Sequence, residues 1–457
     1  MISRIVYVSA RLIFEENKML ISIVIPTRER SEYLRYTLAS CTRIDDTNIE
    51  IIVSDNASAD ATAKIVAQAA DDRIIYLRTP RRLSMRENFE FALSHANGDY
   101  VFMLGDDDAL IPNQFNRIRR VLEQHAPDTL TGTTVLYGWP TKYGPATHGR
   151  FKLFYKSTFG DVNLITGEAL REEIQRNGAV ISDNLPRIYG GFASRKIVEK
   201  LKSKTGQVFM GSSPDIYFMF ASTAVVDKHI RVTHPLFIGG ASPKSNGASY
   251  YEWLRRSGPA KEFNKFVEDA KSDPLVDPLN YNGGMQGALF SHLEAARRYA
   301  YSGNLIFDYE REFERVLASV RDEASAHRGG VIAELTRFAA ESGLGKSLSV
   351  AALQRATAAR EPKQRRSSRK VRVRGYIAVD RVVHDMMRYD RTDIDAVASA
   401  CEWLLGDELT SGGWRRPLSW ARLLGRSLRR MPKLPEPDNP RSRRGNRSGV
   451  ETAGTTR

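Results

Sequence analysis

The stretch Gly98-Asp-Tyr-Val-Phe-Met-Leu-Gly-Asp-Asp-Asp-Ala-Leu-Ile-Pro112 limits what this chain can fold into more than any other. An apolar run from Tyr100 to Leu104, rich in aromatic and branched residues that suit a pleated surface, stops at Gly105 and gives way to Asp106, Asp107 and Asp108. Ala109 to Ile111 make a second apolar step, and Pro112 suits the first turn of a following helix. The carboxylates are thereby tethered at the carboxyl end of a buried strand, the edge where open α/β sheets bind ligands. Adjacent carboxylates repel one another, and a cation relieves them. Hard oxygen ligands suit Mg2+ or Mn2+, which keep several waters and share their remaining positions with substrate phosphates. The plain alternative is a solvated acidic turn.

The same unit recurs upstream. Ile21 to Ile25 form a short apolar strand stopped by Pro26, and Thr27-Arg-Glu-Arg-Ser31 leads into a helix with Leu34, Leu38 and Cys41 on one face. Ile49 to Ser54 form a second strand that ends in Asp55, with Asp60 placed to cap the helix carrying Ile65 and Val66. Ile74 to Leu77 give a third strand, followed by a helix with Met85, Phe89 and Leu93 on one side. Strands alternating with helices over short connections predict a mostly parallel sheet covered on both faces. Thr27, Glu29, Asp55 and Asp106 to Asp108 then gather along one carboxyl edge. Carboxylates and hydroxyls there can hold a base and a ribose, and a metal on Asp107 can neutralise a diphosphate. Taken singly, Asp55 reads equally well as a turn residue.

Ile21-Ser-Ile-Val-Ile-Pro-Thr27, Ile51-Ile-Val-Ser-Asp-Asn-Ala-Ser-Ala-Asp60, Gly98-Asp-Tyr100 and Leu104-Gly-Asp-Asp-Asp108 with Pro112-Asn113 together resemble, in order and spacing over residues 20 to 125, the family 2 glycosyltransferases of GT-A fold. The resemblance implies a nucleoside-diphosphate sugar donor, of UDP type first, and inverting transfer. It also implies that Asp55 contacts the base, Thr27 and Glu29 the nucleoside, Asp106 the ribose or a metal-bound water, and Asp107 the metal, Mn2+ or Mg2+. Arg86 is the candidate for an arginine that reaches the donor, although Arg86-Glu-Asn88 is offset from the commoner Ala-Arg-Asn pattern. Asn56 stands where the family often has a second Asp, and Gly105 where many members begin their acidic triplet.

Thr129 to Trp139 are strand-like, and the irregular segment through Tyr189-Gly-Gly-Phe192 is where the acceptor is expected. Ser212-Ser-Pro-Asp-Ile-Tyr217 opens an apolar helix with a hydroxyl cap and Pro214 in its first turn. Asp215 is either a residue favoured there by the helix dipole or, by its place after the acceptor segment, the general base that takes the acceptor's proton. Asp183 is the second candidate for that role. Leu236 to Ser249 resemble the closing loop of the same domain, where many relatives carry a His near Ser242; His234 stands earlier and reads as structural.

The 457 residues allow more than one domain: an extension over 1–18, a catalytic domain over 19–249, helices over 250–348, a basic linker over 349–375, a helical segment over 376–410, and a basic amphipathic segment with a disordered tail over 411–457. Cys41 and Cys401 are the whole cysteine complement, which indicates neither a disulfide framework nor a zinc site and fits a reducing cytoplasm. The net charge of +14 concentrates in Arg360 to Arg374 and after Trp414. In the latter segment Leu418, Ala421, Leu424 and Leu428 recur at helical spacing with Arg415, Arg416, Arg422, Arg426 and Arg429 elsewhere around the turn. Such a helix over 414–430 either lies peripherally on the inner membrane face or docks on its own protein; nucleic acid is not an expected partner. The chain therefore reads as a metal-dependent glycosyltransferase acting on a glycan or lipid-linked acceptor, in cell-surface polysaccharide biosynthesis. The alternatives are a nucleotidyltransferase, whose basic Gly-rich loop is missing after Pro26, and a silent nucleotide-sugar-binding module.

Overall fold

The computed structural model describes residues 19–140, 149–245, 268–276, 284–320, 325–345, 377–378, 381–389, 391–406 and 416–429. The proposed extension, the linker over 349–375, Trp414 and the tail after Arg429 lie outside the described residues.

The apolar runs form the expected strands: β1 (Ile21–Thr27), β2 (Ile49–Asp55), β3 (Ile74–Arg78) and β4 (Tyr100–Met103). They lie in the order β4-β1-β2-β3, all parallel, and α1 (Ser31–Thr42), α2 (Thr62–Ala69) and α3 (Met85–Ser94) connect them. Alternation along β1 sends Val24 into one apolar cluster and Ile21, Ile23 and Ile25 into another, so both faces are covered. Asp60 accepts the Ser31 and Thr62 amides at 2.9 and 3.0 Å, and so fixes the start of both α1 and α2.

Beyond β4 the sheet becomes mixed. The acidic loop runs through β5 (Ala109–Leu110) into α4 (Pro112–His125), and β6 (Thr129–Gly138) and β7 (Arg150–Phe154) follow. Next come β8 (Val162–Thr166), α5 (Gly167–Asn177), β9 (Gly191–Ser194), α6 (Arg195–Thr205), α7 (Pro214–Ala221) and β10 (Lys228–Ala241). β9 is inserted antiparallel between β4 and β6, while β10 runs parallel to β6 and antiparallel to β5. This brings the end of β10 back over the acidic loop.

Helices α8 (Gly284–Ala295), α9 (Tyr309–Ser319) and α10 (Ser325–Glu341) share one apolar core with α3, α5, α6 and α7. Phe290 meets the rings of Phe313 and Phe338 at 5.7 and 5.6 Å, and His292 Nε2 accepts the Ser213 amide at 2.9 Å just before α7.

The segment expected to be helical from 376 needs correcting. Ile377–Ala378 and Arg381–Asp385 are strands, β11 and β12, with β12 antiparallel on the edge of β7 and His384 stacked on Phe151 at 5.1 Å. An open strand edge offers unpaired amides and carbonyls, and Val382 and Val383 are branched residues suited to fill it. The helix begins only at α11 (Ile394–Leu405), where Asp393 accepts the Ala396 amide. α11 packs beside α1, with Arg43 bound to Asp395 at 3.0 Å and to Glu402.

The basic amphipathic segment forms α12 (Arg416–Leu428), which is docked on the protein itself. Ser419 and Leu423 are buried, Trp420 meets Phe159 edge-on at 5.6 Å, and Arg426 donates to the Leu404 carbonyl at 2.9 Å. The buried side of α12 carries Ser419 and Leu423, while Leu418 and Ala421 of the apolar stripe are exposed. Among the described residues no helix is long and apolar enough to cross a membrane.

Candidate active site

Register places the acids. Thr27 pairs with Asp55 across β1 and β2, and β1 runs parallel to β4, so the carboxyl ends of three strands open on one rim. The Thr27 hydroxyl donates to Asp106 Oδ2 at 2.7 Å, and the Arg30 guanidinium donates to its Oδ1 at 3.0 Å. Thr37, buried on α1, donates to the backbone carbonyls of Asp106 and Asp108 at 2.8 and 2.7 Å, which holds the shape of the loop.

The three acids of the triplet have different surroundings. Asp108 points inward: it accepts from the Tyr189 hydroxyl, from the Gly240 amide at 2.6 Å and from the Gly105 amide at 3.3 Å. Asp107 accepts the Ser242 amide at 3.3 Å, and its own carbonyl accepts the Trp139 indole at 2.9 Å. Burial pushes the Asp107 carboxyl up to about 6, against the pull of Arg30. Burial and the neighbouring Asp107 push Asp108 up to about 8. Burial alone would lower Arg30, but Asp106 and Asp107 outweigh it and hold the guanidinium above its usual range.

Whether a divalent cation fits is answered by the donors present. The Ser242 hydroxyl is buried beside the Asp107 carboxylate, which also accepts the Ser242 amide. A carboxylate and a hydroxyl side by side are hard oxygen donors of the kind Mg2+ and Mn2+ take. Among the described residues no three His, Cys, Asp or Glu side chains gather into a complete cage. A cation with few protein ligands that completes its shell with water and phosphate fits this set.

Other expected contacts are engaged within the protein. Asp55 is fully buried and accepts from the Ser58 amide at 2.9 Å, the Tyr76 hydroxyl at 2.6 Å and Arg78 at 3.0 Å. Glu29 adopts a left-handed backbone, with φ of 53°, and its carboxylate accepts the Ala59 amide and Arg82 at 2.9 and 3.0 Å. It ties the loops after β1 and β2 together. Asn56, in place of an acid, pins the loop before α3 through Leu83, donating to its carbonyl and accepting its amide, both at 2.8 Å. Arg86 is buried, with its Nε on Asp273 at 2.6 Å and its Nη1 on Gln207, so its described contacts are within the protein.

On the acceptor side, Asp215 sits in the first turn of α7, and Ser213 makes no side-chain cap there. Burial raises the Asp215 carboxyl, opposed by helix amides and by Arg187. The Tyr189 hydroxyl is bonded to Asp108, and the charges of Asp108, Asp107 and Asp215 all raise its pKa beyond the effect of burial. Asp183 is 72% exposed and paired with Arg187 and Arg231 at 3.6 and 3.3 Å. His234 is buried with Nδ1 accepting the Phe159 amide at 3.1 Å, a packing role.

Arg30, Tyr189, Trp139 and the Ser242 amide did not emerge from the sequence as site residues. Ser242 left a trace there as the position near which a His was expected, and Tyr189 as part of the expected acceptor segment.

The family model described as Glycosyl transferase family 2 matches residues 22–201, and this part of the chain is a family 2 glycosyltransferase domain. Abequosyltransferase RfbV of Salmonella typhimurium is 39% identical over 113 residues, 24% of this chain and 34% of that protein. The GalNAc(5)-diNAcBac-PP-undecaprenol beta-1,3-glucosyltransferase of Campylobacter jejuni is 36% identical over 94 residues, 20% of this chain and 30% of that protein. The chain thus spans about a third of the length of the curated relatives it matches. Among solved structures, S. aureus TarS 1-349 in complex with UDP aligns over 74% of this chain and 90% of that one, at 14% identity and a TM-score of 0.40.

Proposed function

We propose that this chain transfers a sugar, with inversion, from a nucleoside-diphosphate donor of UDP type to a hydroxyl of a glycan or lipid-linked acceptor, as in polysaccharide biosynthesis. The observation that carries this reading is the convergence of Thr27, Asp55, Asp106 and Asp107 on one rim of the sheet, with Thr27 bonded to Asp106. Relatives named for sugar transfer, one of them to an undecaprenol-linked glycan, support the substrate class.

In this reading Asp55 and Glu29 shape the nucleoside pocket, and Thr27 and Arg30 orient the Asp106 carboxylate toward the ribose. Asp107 and Ser242 would hold Mn2+ or Mg2+, which when bound would stabilise charge on the departing diphosphate. Asp215 takes the acceptor's proton, and burial, which raises its affinity for protons, makes it a stronger base than a free carboxylate. Tyr189 keeps Asp108 hydrogen-bonded and out of that exchange. Arg86 enters the donor pocket only by exchanging its partner Asp273.

Calorimetric titration of UDP and GDP with and without Mn2+, followed by a screen of nucleotide sugars for Mn2+-dependent hydrolysis, tests the reading. Asp107→Asn is expected to abolish the metal-dependent part of binding. Asp215→Asn is expected to leave nucleotide affinity within about twofold and to cut turnover by about 10²–10⁴. Metal-dependent binding that survives Asp107→Asn would remove the central assignment.

A further inference from the structure

Residues 268–276 form a short strap that begins with a helical turn and touches the loop after β1, the start of α3 and the segment before α7. Arg28, one residue past Thr27, ion-pairs with Asp269. Ser84 and Arg86, at the start of α3, both bind Asp273, at 2.5 and 2.6 Å. Gly211, shortly before α7, donates its amide to the Leu275 carbonyl at 2.9 Å. The strap therefore joins the donor-side loops to the lead-in of the helix that carries Asp215.

Its two acidic contacts are unequal. Asp273 is fully buried, holds two side chains of the α3 start and also accepts the Leu275 amide at 3.1 Å, so it anchors the strap. The Arg28–Asp269 pair is about one-fifth exposed on each side, 21% and 19%, and so is open to solvent. Two residues further on, Arg30 reaches both Asp106 and the Lys244 carbonyl, and the Lys244 amine lies 3.3 Å from the Glu29 carbonyl, so the loop that carries Arg28 borders the acidic rim. A guanidinium prefers phosphate oxygens to a lone carboxylate when both are offered with good geometry, because it can donate to them in a fork.

We propose that Arg28 is a binding residue for the donor's diphosphate and that Asp269 holds its place in the nucleotide-free protein, so that donor binding exchanges one anion for the other and releases the strap at that end. The proposal rests on the nucleotide-sugar reading above. It assigns Asp269 the part of an internal competitor and Asp273 the part of a fixed hinge.

The test uses the full chain with UDP and GDP as probes, in the presence of Mn2+. Asp269→Asn removes the competitor and is expected to raise nucleotide affinity by about two- to fivefold, the range of a partly exposed ion pair. Arg28→Met is expected to lower it. A thiol placed in the strap by Ser272→Cys is exposed, whereas Cys41 and Cys401 are fully buried, so maleimide labelling reports on the strap. Labelling is expected to speed up when nucleotide is added. Nucleotide that binds with unchanged labelling and unchanged affinity in Asp269→Asn overturns the exchange and leaves the catalytic reading standing. Weaker binding in Asp269→Asn, or full affinity in Arg28→Met, overturns it as well. Failure of the unaltered chain to bind either nucleotide overturns the catalytic reading, and the exchange with it.

Discussion

Gly105 sits where the sequence departs from the acidic triplet of its relatives, and the structure supplies a reason. A β-carbon there would lie 2.2 Å from the Tyr189 hydroxyl and 2.7 Å from Asp108 Oδ2, so only glycine lets the tyrosine reach the acid. Gly105→Ala is expected to push Tyr189 off Asp108 and to cost about 1–3 kcal/mol, the usual range for overpacking a filled interior. Gly425→Ala is the contrast: nothing lies within 4 Å of its added carbon, and replacing a helical glycine should stabilise by up to about 1 kcal/mol. Urea unfolding midpoints at constant slope would rank the two, and equal midpoints would contradict the packing argument. That Asp106 to Asp108 lie at a strand's end was legible from an apolar run broken by acids. Which acid faces the ligand was not, because Tyr189, Gly240 and Ser242 come from 81 to 135 residues further along. The same distance hid the engagement of Arg86 by Asp273, 187 residues away.

At the scale of elements, the parallel half from β1 to β4 was written locally, by short apolar runs, stops and caps, and it formed as read. The segment from Ile377 was not local in this sense. Its branched residues fit a strand only because β7 offers an edge, and β propensity depends on such context. The amphipathic pattern of α12 was legible, but periodicity alone does not say which surface receives the apolar side. Here Leu423 enters a cluster with Leu404, Leu405 and Phe159, which makes the C-terminal helices part of the same core as β6, β7 and β10. Leu404→Ala, at a fully buried position, should cost about 2–5 kcal/mol. Leu418→Ala, where the side chain is 54% exposed, should change stability by less than about 0.5 kcal/mol. Thermal denaturation of the two variants checks this, and a large loss at Leu418 would mean that α12 docks through its other side.

Over the whole molecule, stability should have a maximum near neutral pH, set by groups buried in the wrong charge state for water. Burial pushes His229 and His234 down to about 3, and His292 and His384 down to about 4. Below about 6.5 the unfolded chain protonates these imidazoles while the folded one resists, so each lowers stability as the pH falls toward 4, by up to about 1.4 kcal/mol per pH unit. Asp107 and Asp108, pushed up to about 6 and about 8, act in the opposite sense, since the folded state holds protons that unfolded carboxyls have released. Asp215 and Glu312 are raised by burial in the same sense, and the acid limb falls where the four imidazoles, pushed down to about 3 or 4, outweigh these carboxyls. Above pH 6.5 the histidines are neutral in both states and Asp108 dominates, so stability should decline again as the pH rises toward 8. Melting temperatures measured from pH 4.5 to 8.5 without metal or nucleotide should trace this dome. His384→Gln should flatten its acid limb, because the imidazole stacked on Phe151 is replaced by a group that does not titrate. Asp108→Asn should flatten the alkaline limb. A profile level from 6.5 down to 4.5 would mean that the imidazoles reach water in the folded state, and the packing of β12 on β7 would then have to be looser than its pairing implies.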